Sequence, residues 1–309
     1  VAPIIWLNDP ANNRIPPWPP EFRNPEWYNR RGRVLVYNAG QTVYGDFPGG
    51  LKDLDTSRQD VRDALVDVFA YWIEQVDFDG FRIDTVKHVE TNFWADFCAR
   101  IRQRAAARGK QNFFMFGEAF DGDDVLLGSF TQPNMLDSVF YFSQKYQVID
   151  GVIGNNQPTS IIENLLVNQR NANYSGSPQP GGVGIAPRDA LVHFIDNHDV
   201  ARYLHTFNVA RLDVALGYIF TIPGIPCVYY GTEQGFSGGE DPTNREVLWE
   251  SGFDTTNSRF QAVKRWTTLR NQLAPLRRGS FTVRWSTHRT GNETDAGIIA
   301  IERSFNGET

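Results

Sequence analysis

Short apolar segments alternate with amphipathic helical segments from Leu51 to Leu273, and this rhythm limits the folds open to the chain. Such alternation is typical of α/β proteins with a parallel sheet. The predicted strands are residues 76–83, 113–116, 136–142, 190–195 and 226–230. The predicted helices are residues 58–75, 91–108, 160–169, 208–220 and 259–273. An open doubly wound sheet and a closed eight-stranded barrel both fit this pattern.

Acidic residues stand at the ends of several predicted strands. Asp84 follows the first strand, Glu118 the second and Asp199 the fourth. In a barrel the carboxyl ends of the strands converge on one active-site mouth. An open sheet of this kind usually carries a glycine-rich phosphate loop, and the sequence contains none. The pattern therefore favours a (β/α)8 TIM-type barrel.

Carboxylates that face one another across such a mouth can act as a nucleophile and a general acid. Retaining glycoside hydrolysis uses two carboxylates roughly 5 Å apart in this way. Catalytic zinc is the main alternative for a cluster of acids. It is disfavoured because His88 and His198 lack the i, i+4 helical spacing of common zinc pairs.

Arg82 precedes Asp84 by two residues, so both side chains point to the same face of the predicted buried strand. Two interpretations are open for this pair. It is either a structural ion pair at the rim of a sheet, or an arrangement in which Arg82 keeps Asp84 ionised for attack.

Composition excludes several classes of protein. The formal net charge of −6 argues against nucleic acid as the main partner. No run of about 18 apolar residues is present, so a transmembrane helix is not expected. Cys98 and Cys227 lie in apolar surroundings without metal-like spacing and are predicted to be small buried hydrophobes.

Five stretches carry a resemblance to a known family. The stretches are LKDLDT at 51–56, GFRIDTVKHV at 80–89, FGE at 116–118, FIDNHD at 194–199 and GGEDPTNRE at 238–246. In this order they resemble the α-amylase family, glycoside hydrolase family 13, and the last resembles a loop of fungal-type α-amylases. The resemblance implies an extracellular, monomeric hydrolase that cleaves internal α-1,4 bonds of starch-like α-glucans. Members that transfer glycosyl groups or act on short oligosaccharides, and non-catalytic scaffold relatives, are the alternatives.

The resemblance implies a role for each acid. Asp84 would be the nucleophile, Glu118 the acid/base, and Asp199 the residue that binds sugar hydroxyls and stabilises the transition state. The implied substrate-binding residues are Arg82, Lys87, His88, His198, Asp241 and Arg245. Lys87 and His88 would contact sugars on the leaving-group side, and Asp241 and Arg245 would hold sugars on the other side. The alternatives are ordinary rim charges for the first pair and a loop ion pair for the second.

The resemblance also implies a calcium ion that joins domain B to the barrel. Asp53 would provide a carboxylate ligand and His88 a backbone carbonyl, since calcium takes oxygen ligands. The alternative for Asp53 is an anion at a helix N-terminus, which needs no metal.

The implied domain plan places the remainder of domain B at residues 1–50, a partial barrel at 51–275 and the start of a C-terminal antiparallel β domain at 276–309. Two departures from the family pattern stand out. The family's strand ending in Asn-His is absent, so the barrel is expected to lack its first strands and the chain to be part of a longer protein. Lys52 also stands where many relatives have Pro.

Overall fold

A computed structural model describes residues 19–48 and 51–308. Residues 1–18 and 49–50 of the predicted domain B remainder therefore lie outside the described residues. The chain divides into two compact units, and each is described by itself. The first unit comprises the described residues of Val1–Phe120, Phe130–Asp137 and Pro178–Gly184. The second comprises those of Asp121–Ser129, Ser138–Ser177 and Ile185–Thr309. The predicted domain limits stay a prediction.

The first unit contains two parallel strands and three helices. In chain order these are α1 (Ala39–Tyr44), α2 (Gln59–Val76), β1 (Gly80–Ile83), α3 (Thr91–Ala107) and β2 (Phe114–Gly117). The helix predicted at 58–75 is confirmed to within one residue. It ends where Asp77 adopts the left-handed conformation.

Strand β1 differs from its prediction in length and burial. It begins at Gly80 because α2 runs through Val76, and its residues are only partly buried, with Arg82 exposed. Its register pairs Gly80 with Phe114 and Ile83 with Gly117. Among the described residues no strand pairs with the opposite edge of β1. Burial of that strand depends on neighbours far away in sequence, which local periodicity does not report.

A buried ion pair fixes helix α3 within the first unit. Arg102 donates from Nη2 to Asp137 Oδ2 at 3.0 Å, and the two side chains are 3 % and 0 % exposed. The same Asp137 oxygen accepts the peptide N–H of Met115 at 3.0 Å. The Arg102 guanidinium also donates to the carbonyl of Met135 at 2.7 Å. This network ties α3 to β2 and to the segment before Ser138.

Breaking this pair is expected to destabilise the protein strongly. Arg102→Met leaves a buried carboxylate without its cation, which costs about 3–5 kcal/mol of unfolding free energy. Arg104→Met is the matched control on the same helix, because Arg104 makes exposed pairs with Asp67 and Glu74. Such pairs contribute about 0–1 kcal/mol each. Urea unfolding followed by circular dichroism measures both, and equal losses in the two variants would contradict the buried-pair argument.

The first part of the second unit contains one short strand and four short α-helices. In chain order they are α4 (Asp124–Ser129), β3 (Ser138–Val139), α5 (Phe142–Gln144), α6 (Ser160–Glu163) and α7 (Arg170–Asn173). Helix α5 continues as a wide π-helix over Lys145–Gly154, and a second π-helix over Asn164–Gln169 joins α6 to α7. The helix predicted at 160–169 therefore extends to Asn173.

The rest of the second unit continues the strand–helix order and ends in a hairpin. Its elements are β4 (Val192–Phe194), α8 (Tyr203–Thr206), α9 (Val209–Thr221), β5 (Ile225–Cys227), α10 (Ser258–Gln272), α11 (Ala274–Arg278), β6 (Ser280–Trp285) and β7 (Ala300–Ser304). Strands β4 and β5 are parallel, and β6 and β7 are antiparallel, as predicted. A core of α9 side chains with Ile149, Ile195, Tyr203 and Ala262 supports them.

Buried Arg303 and partly buried Arg270 bind the end of α9, which attaches the C-terminal hairpin and α10 to it. Arg303 of β7 donates to the carbonyl of Thr221 at 2.8 Å, and Arg270 of α10 donates to that of Phe220 at 2.7 Å. The last carbonyls of a helix lack intrahelical partners and carry partial negative charge, so guanidinium groups stabilise them. No helix within the described residues is long and apolar enough to cross a membrane.

Candidate active site

The register of β1 and β2 places two of the predicted catalytic acids at equivalent positions. Asp84 and Glu118 each follow one residue after the paired Ile83 and Gly117. The peptide N–H of Glu118 donates to the carbonyl of Ile83 at 2.7 Å, which continues the pairing beyond the strand ends. Parallel pairing therefore delivers both carboxyl groups to one edge of the first unit.

Asp84 is an exposed carboxylate beside a cation. Its side chain is 64 % exposed, and Arg82 Nη1 lies 2.6 Å from its Oδ1. The predicted pairing of these two residues on one face is therefore confirmed. The guanidinium holds positive charge directly against an oxygen that remains accessible from solvent.

The residue after Asp84 has an uncommon backbone conformation. Thr85 adopts φ 53° and ψ 35°, in the left-handed region. A β-branched residue rarely adopts positive φ, and strain of about 1–3 kcal/mol is typically stored at functional sites. The turn directs the peptide N–H of Thr85 to Glu118 Oε2 at 3.1 Å. The strained residue thus links the two acids through the backbone.

Glu118 stands in a different environment from Asp84. Glu118 is buried, with 4 % of the residue exposed, whereas Asp84 is exposed beside a guanidinium. Two carboxyl groups in contrasting environments are suited to different protonation roles. The division into nucleophile and acid/base stays a prediction.

Lys87 and His88 make contacts inside the first unit. Lys87 donates from Nζ to the carbonyl of Phe120. His88 Nδ1 lies 2.9 Å from the carbonyl of Thr42, and its ring packs edge-on against Tyr37 and Phe47. Burial lowers the pKa of His88 below its usual value. The ring therefore fastens the segment around α1, and the predicted sugar contacts of Lys87 and His88 stay predictions.

Asp53 has the surroundings of a cation ligand. Its Oδ2 accepts a hydrogen bond from Asn29 Nδ2 at 2.8 Å, and no lysine or arginine within the described part of the chain pairs with it. Burial raises the pKa of Asp53 to about 8, and the charges of Glu90, Asp46 and Asp55 add to the shift.

The alternative role for Asp53, an anion at a helix N-terminus, does not apply. Helix α2 begins six residues later, at Gln59, and the acid in its first turn is Asp60. A carboxylate surrounded by other carboxylates favours a bound divalent cation, and calcium takes oxygen ligands. The oxygen atoms of Asp53 therefore fit calcium. Within residues 19–48 and 51–308, no group of three His, Cys, Asp or Glu side chains is arranged to hold a metal. Carbonyl, amide or water oxygens would have to complete the coordination.

The second unit brings four predicted residues together after β4. His198 Nε2 lies 3.1 Å from Asp199 Oδ2, and Arg245 Nη2 lies 3.6 Å from Asp199 Oδ1. Arg245 Nε also pairs with Asp241 Oδ1 at 2.7 Å. The loop ion pair between Asp241 and Arg245 therefore exists, and it also reaches the predicted transition-state residue.

Asn197 shapes the turn that presents Asp199. Its Oδ1 accepts the peptide N–H groups of Asp199 at 2.8 Å and Val200 at 3.1 Å. The preceding Asp196 is buried and accepts from the N–H of Tyr203 at 2.8 Å and from Thr232 Oγ1 at 3.1 Å. Asp196 therefore supports the turn, and Asp199 is left at the surface.

Arg202 is a positioning residue that the sequence reasoning missed. It is fully buried and donates from Nε to Glu246 Oε2 at 3.0 Å and to the carbonyl of Asn244 at 2.9 Å. Its Nη1 donates to the carbonyl of Tyr230 at 2.6 Å, and its guanidinium lies 4.0 Å from the Tyr229 ring centroid.

Glu246 continues this framework into the 237–246 loop. Its Oε1 accepts the N–H groups of Ser237 at 2.9 Å and Gly238 at 2.6 Å. Arg202 and Glu246 thereby hold both ends of the loop that carries Asp241 and Arg245. The sequence signal that could have identified Arg202 was its position, only three residues after Asp199.

Arg202→Lys is expected to weaken both stability and substrate binding. Lysine lacks the planar fork, so buried carbonyls lose donors and the free energy of unfolding falls by about 2–4 kcal/mol. We expect KM for the α-glucan substrate that the resemblance implies to rise by a larger factor than kcat falls, because the displaced loop holds the predicted sugar-binding pair. Arg211→Lys is the matched control, since Arg211 also donates to backbone carbonyls, those of Ile153 and Gly154. An equal rise in KM in both variants would contradict the positioning role.

Comparison with known proteins decides the family. The family described as "Alpha amylase, catalytic domain" matches residues 5–276. The chain belongs to this family. The match confirms the family predicted from the five motifs, a family of glycoside hydrolases.

Individual relatives agree with this assignment. The chain is 32 % identical over 308 residues to the Beta/alpha-amylase of Paenibacillus polymyxa, covering 93 % of this chain and 23 % of that protein. It is 28 % identical over 328 residues to the Cyclomaltodextrin glucanotransferase of Klebsiella oxytoca, covering 91 % of this chain and 47 % of that protein. The chain thus spans less than half the length of these two relatives.

A solved structure supports the fold. The Anoxybacillus alpha-amylase matches with a TM-score of 0.76 and 28 % identity, over 97 % of this chain and 59 % of that chain. Together with the family match, this likeness confirms the predicted TIM-type barrel class. The barrel class explains why catalytic candidates stand after β1, β2 and β4, where loops follow the carboxyl ends of parallel strands.

Proposed function

We propose that the protein hydrolyses internal α-1,4-glucosidic bonds of starch-like α-glucans with retention of anomeric configuration. The observation that carries this proposal is the paired end of β1 and β2, where exposed Asp84 lies beside Arg82 and buried Glu118 occupies the equivalent position. Two carboxyl groups in unlike environments are suited to act as a nucleophile and a general acid, which are the two roles that the retaining mechanism needs.

The two acids divide the reaction into two displacements. Asp84 attacks the anomeric carbon while Glu118 gives its proton to the leaving glycosidic oxygen, and a covalent glycosyl-enzyme forms. Glu118, now a carboxylate, takes a proton from water, and the resulting oxygen nucleophile displaces Asp84 from the anomeric carbon. The family resemblance implies that Asp199 and His198 bind sugar hydroxyls, and Arg82 orients Asp84.

Incubation of the full-length protein with soluble starch tests this proposal. We expect internal cleavage, seen as a fall in iodine staining that precedes the accumulation of short sugars. Proton NMR of the first products should show the α-anomer before mutarotation. Initial release of the β-anomer, or no cleavage of any α-glucan, would overturn the proposal.

Glycosyl transfer is the second candidate, and the likeness to the Klebsiella oxytoca glucanotransferase favours it. The first displacement is then the same, but a sugar hydroxyl replaces water in the second. Product analysis on starch and on maltose separates the two activities. Cyclic products, or products longer than the donor, would indicate transfer. A non-catalytic scaffold protein would form neither hydrolysis products nor transfer products.

We also propose that calcium binds at Asp53, with the backbone carbonyl of His88 as a second ligand. The acidic neighbours of Asp53 and its lack of a cationic partner among the described residues support this. A bound calcium would supply structural cross-linking and no chemical step. Calcium should raise the melting temperature of the wild-type protein relative to EGTA, and Asp53→Asn should remove most of that rise. Equal melting temperatures with calcium and with EGTA would overturn this assignment.

Extracellular location and a monomeric state stay predictions.

A further inference from the structure

A cavity in the second unit runs along helix α9. Its volume is about 830 Å³, within the range of about 300–1,000 Å³ that is typical of small-molecule sites. Its walls come from the π-helix over Lys145–Gly154 and the segment after it, from α9 and α10, and from β7 with the loop before it. None of the described residues that line it is a predicted catalytic or sugar-binding residue.

One stripe of α9 forms the long wall of the cavity. Its residues follow the three- and four-residue spacing of a single helix face, and they are Ala210, Val214, Gly217, Tyr218 and Thr221. An α-helix rises about 1.5 Å per residue, so this stripe extends over roughly 16 Å. The cavity is therefore elongated along the helix axis.

The walls are predominantly aliphatic. Six aliphatic side chains larger than alanine line the cavity: Val152, Ile153, Ile162, Val214, Ile299 and Ile301. Trp266 of α10 adds an aromatic surface next to Gly217, where a Cβ atom would lie only 2.8 Å from the Trp266 ring. Val214 is 59 % exposed, so part of this apolar surface is open to solvent. Burial of an apolar ligand against these walls is favourable.

Arg211 is the only charged residue among the described residues that line the cavity. It lies near the start of α9, and its Nη1 donates to the carbonyl of Ile153 at 2.7 Å. The acids of the neighbouring loop are engaged elsewhere: Asp295 pairs with Arg289 at 3.4 Å, and Glu293 accepts the N–H of Thr290 at 2.8 Å. One end of the cavity therefore carries a positive charge and favours a ligand with a single negative charge.

We propose that this cavity binds the anion of a medium-chain fatty acid, with the carboxylate at Arg211 and the acyl chain along α9. A guanidinium group binds a carboxylate through charge-assisted hydrogen bonds, and the aliphatic walls take the chain. The length of the α9 stripe suits a chain such as that of dodecanoate. A sugar is disfavoured, because its hydroxyl groups would face aliphatic side chains over most of the cavity. This site is separate from the proposed function.

Isothermal titration calorimetry on the full-length protein tests the inference. The probes are octanoate, decanoate and dodecanoate, each below its micelle concentration. We expect affinity to rise about fourfold for each added CH₂ group, because each group is buried against the aliphatic walls. Decanoate should also bind more tightly than 1-decanol, and Arg211→Gln should remove most of that preference.

Val214→Asp places a negative charge in the cavity wall and should weaken decanoate binding about tenfold or more. Val125→Asp is the matched control, at a similarly exposed valine of α4 that does not line the cavity, and should leave binding unchanged. Equal effects of the two substitutions would overturn the inference.

Two further results would also overturn it. They are failure of all three acids to bind, which coverage of the cavity by another part of the full-length protein would produce, and an affinity that does not rise with chain length. Melting temperatures identify any variant that fails to fold. If Arg211→Gln fails to fold, Val214→Asp provides the deciding measurement, because Val214 is exposed. Starch cleavage has no part in these measurements, so their failure leaves the hydrolase proposal intact.

Discussion

Asp84→Asn is expected to lower kcat on soluble starch by about 10⁴-fold or more, since an amide cannot act as the nucleophile of the first displacement. The folded state should be little affected, because the Asp84 side chain is exposed and contributes one ion pair with Arg82. Reducing-end release measures kcat, and circular dichroism measures the fold. A drop in kcat without loss of structure locates the effect in the chemistry.

The matched control is Asp79→Asn, the same substitution five residues earlier. Asp79 is exposed and pairs with Lys110, so its replacement should leave kcat within about twofold of the wild type. A small nucleophile provides a second test. Azide should restore bond cleavage to Asp84→Gly by attacking the anomeric carbon from the vacated side, and the product should be the β-glycosyl azide. Wild-type activity in Asp84→Asn would overturn the assignment of the nucleophile.

Glu118→Gln is expected to lower kcat on starch by about 10²–10⁴-fold, the range that general acid–base catalysis contributes. Glutamine is close in size to glutamate and can still accept the hydrogen bond from the Thr85 N–H, so the local structure should survive. The loss should depend on the leaving group. An α-maltosyl fluoride needs little protonation of its leaving group, so formation of the glycosyl-enzyme from this substrate should be much less impaired.

Glu26→Gln is the matched control for this variant, because Glu26 is exposed and pairs with Arg30 at the surface. Pre-steady-state kinetics with the fluoride separates the two displacements. Equal loss on starch and on the fluoride would mean that Glu118 does not protonate the leaving group, and a different acid would have to be found.

The sequence predicted the helices better than the strands. Helices α2, α9 and α10 lie within one or two residues of their predicted limits, because their apolar periodicity and end signals are local. Asn208, for example, caps α9 by accepting the N–H of Arg211 at 3.0 Å. The strand predicted at 226–230 instead covers Ile225–Cys227, since pairing with β4 sets its length.

The predicted site residues fell into two sets that local motifs could identify. Asp84 and Glu118 follow paired strands of one unit, and Asp199 joins His198, Asp241 and Arg245 in the other. Asp84 and Glu118 were recognisable because an apolar strand directly precedes each, and Asp199 because it closes the FIDNHD stretch after the fourth predicted strand. The ion pair of Arg82 with Asp84 was also predictable, since two residues separate them and alternate strand residues share a face.

The sequence by itself determined the order of strands and helices and the family, and it supplied the three candidate acids, because each of these depends on residues close together in the chain. The tertiary structure decided what distant residues do together. It exposed one edge of β1 and paired Arg202 with Glu246 across 44 positions. Burial, charge pairing and cavities arise from side chains that meet only after folding, and no local pattern records which residues will meet.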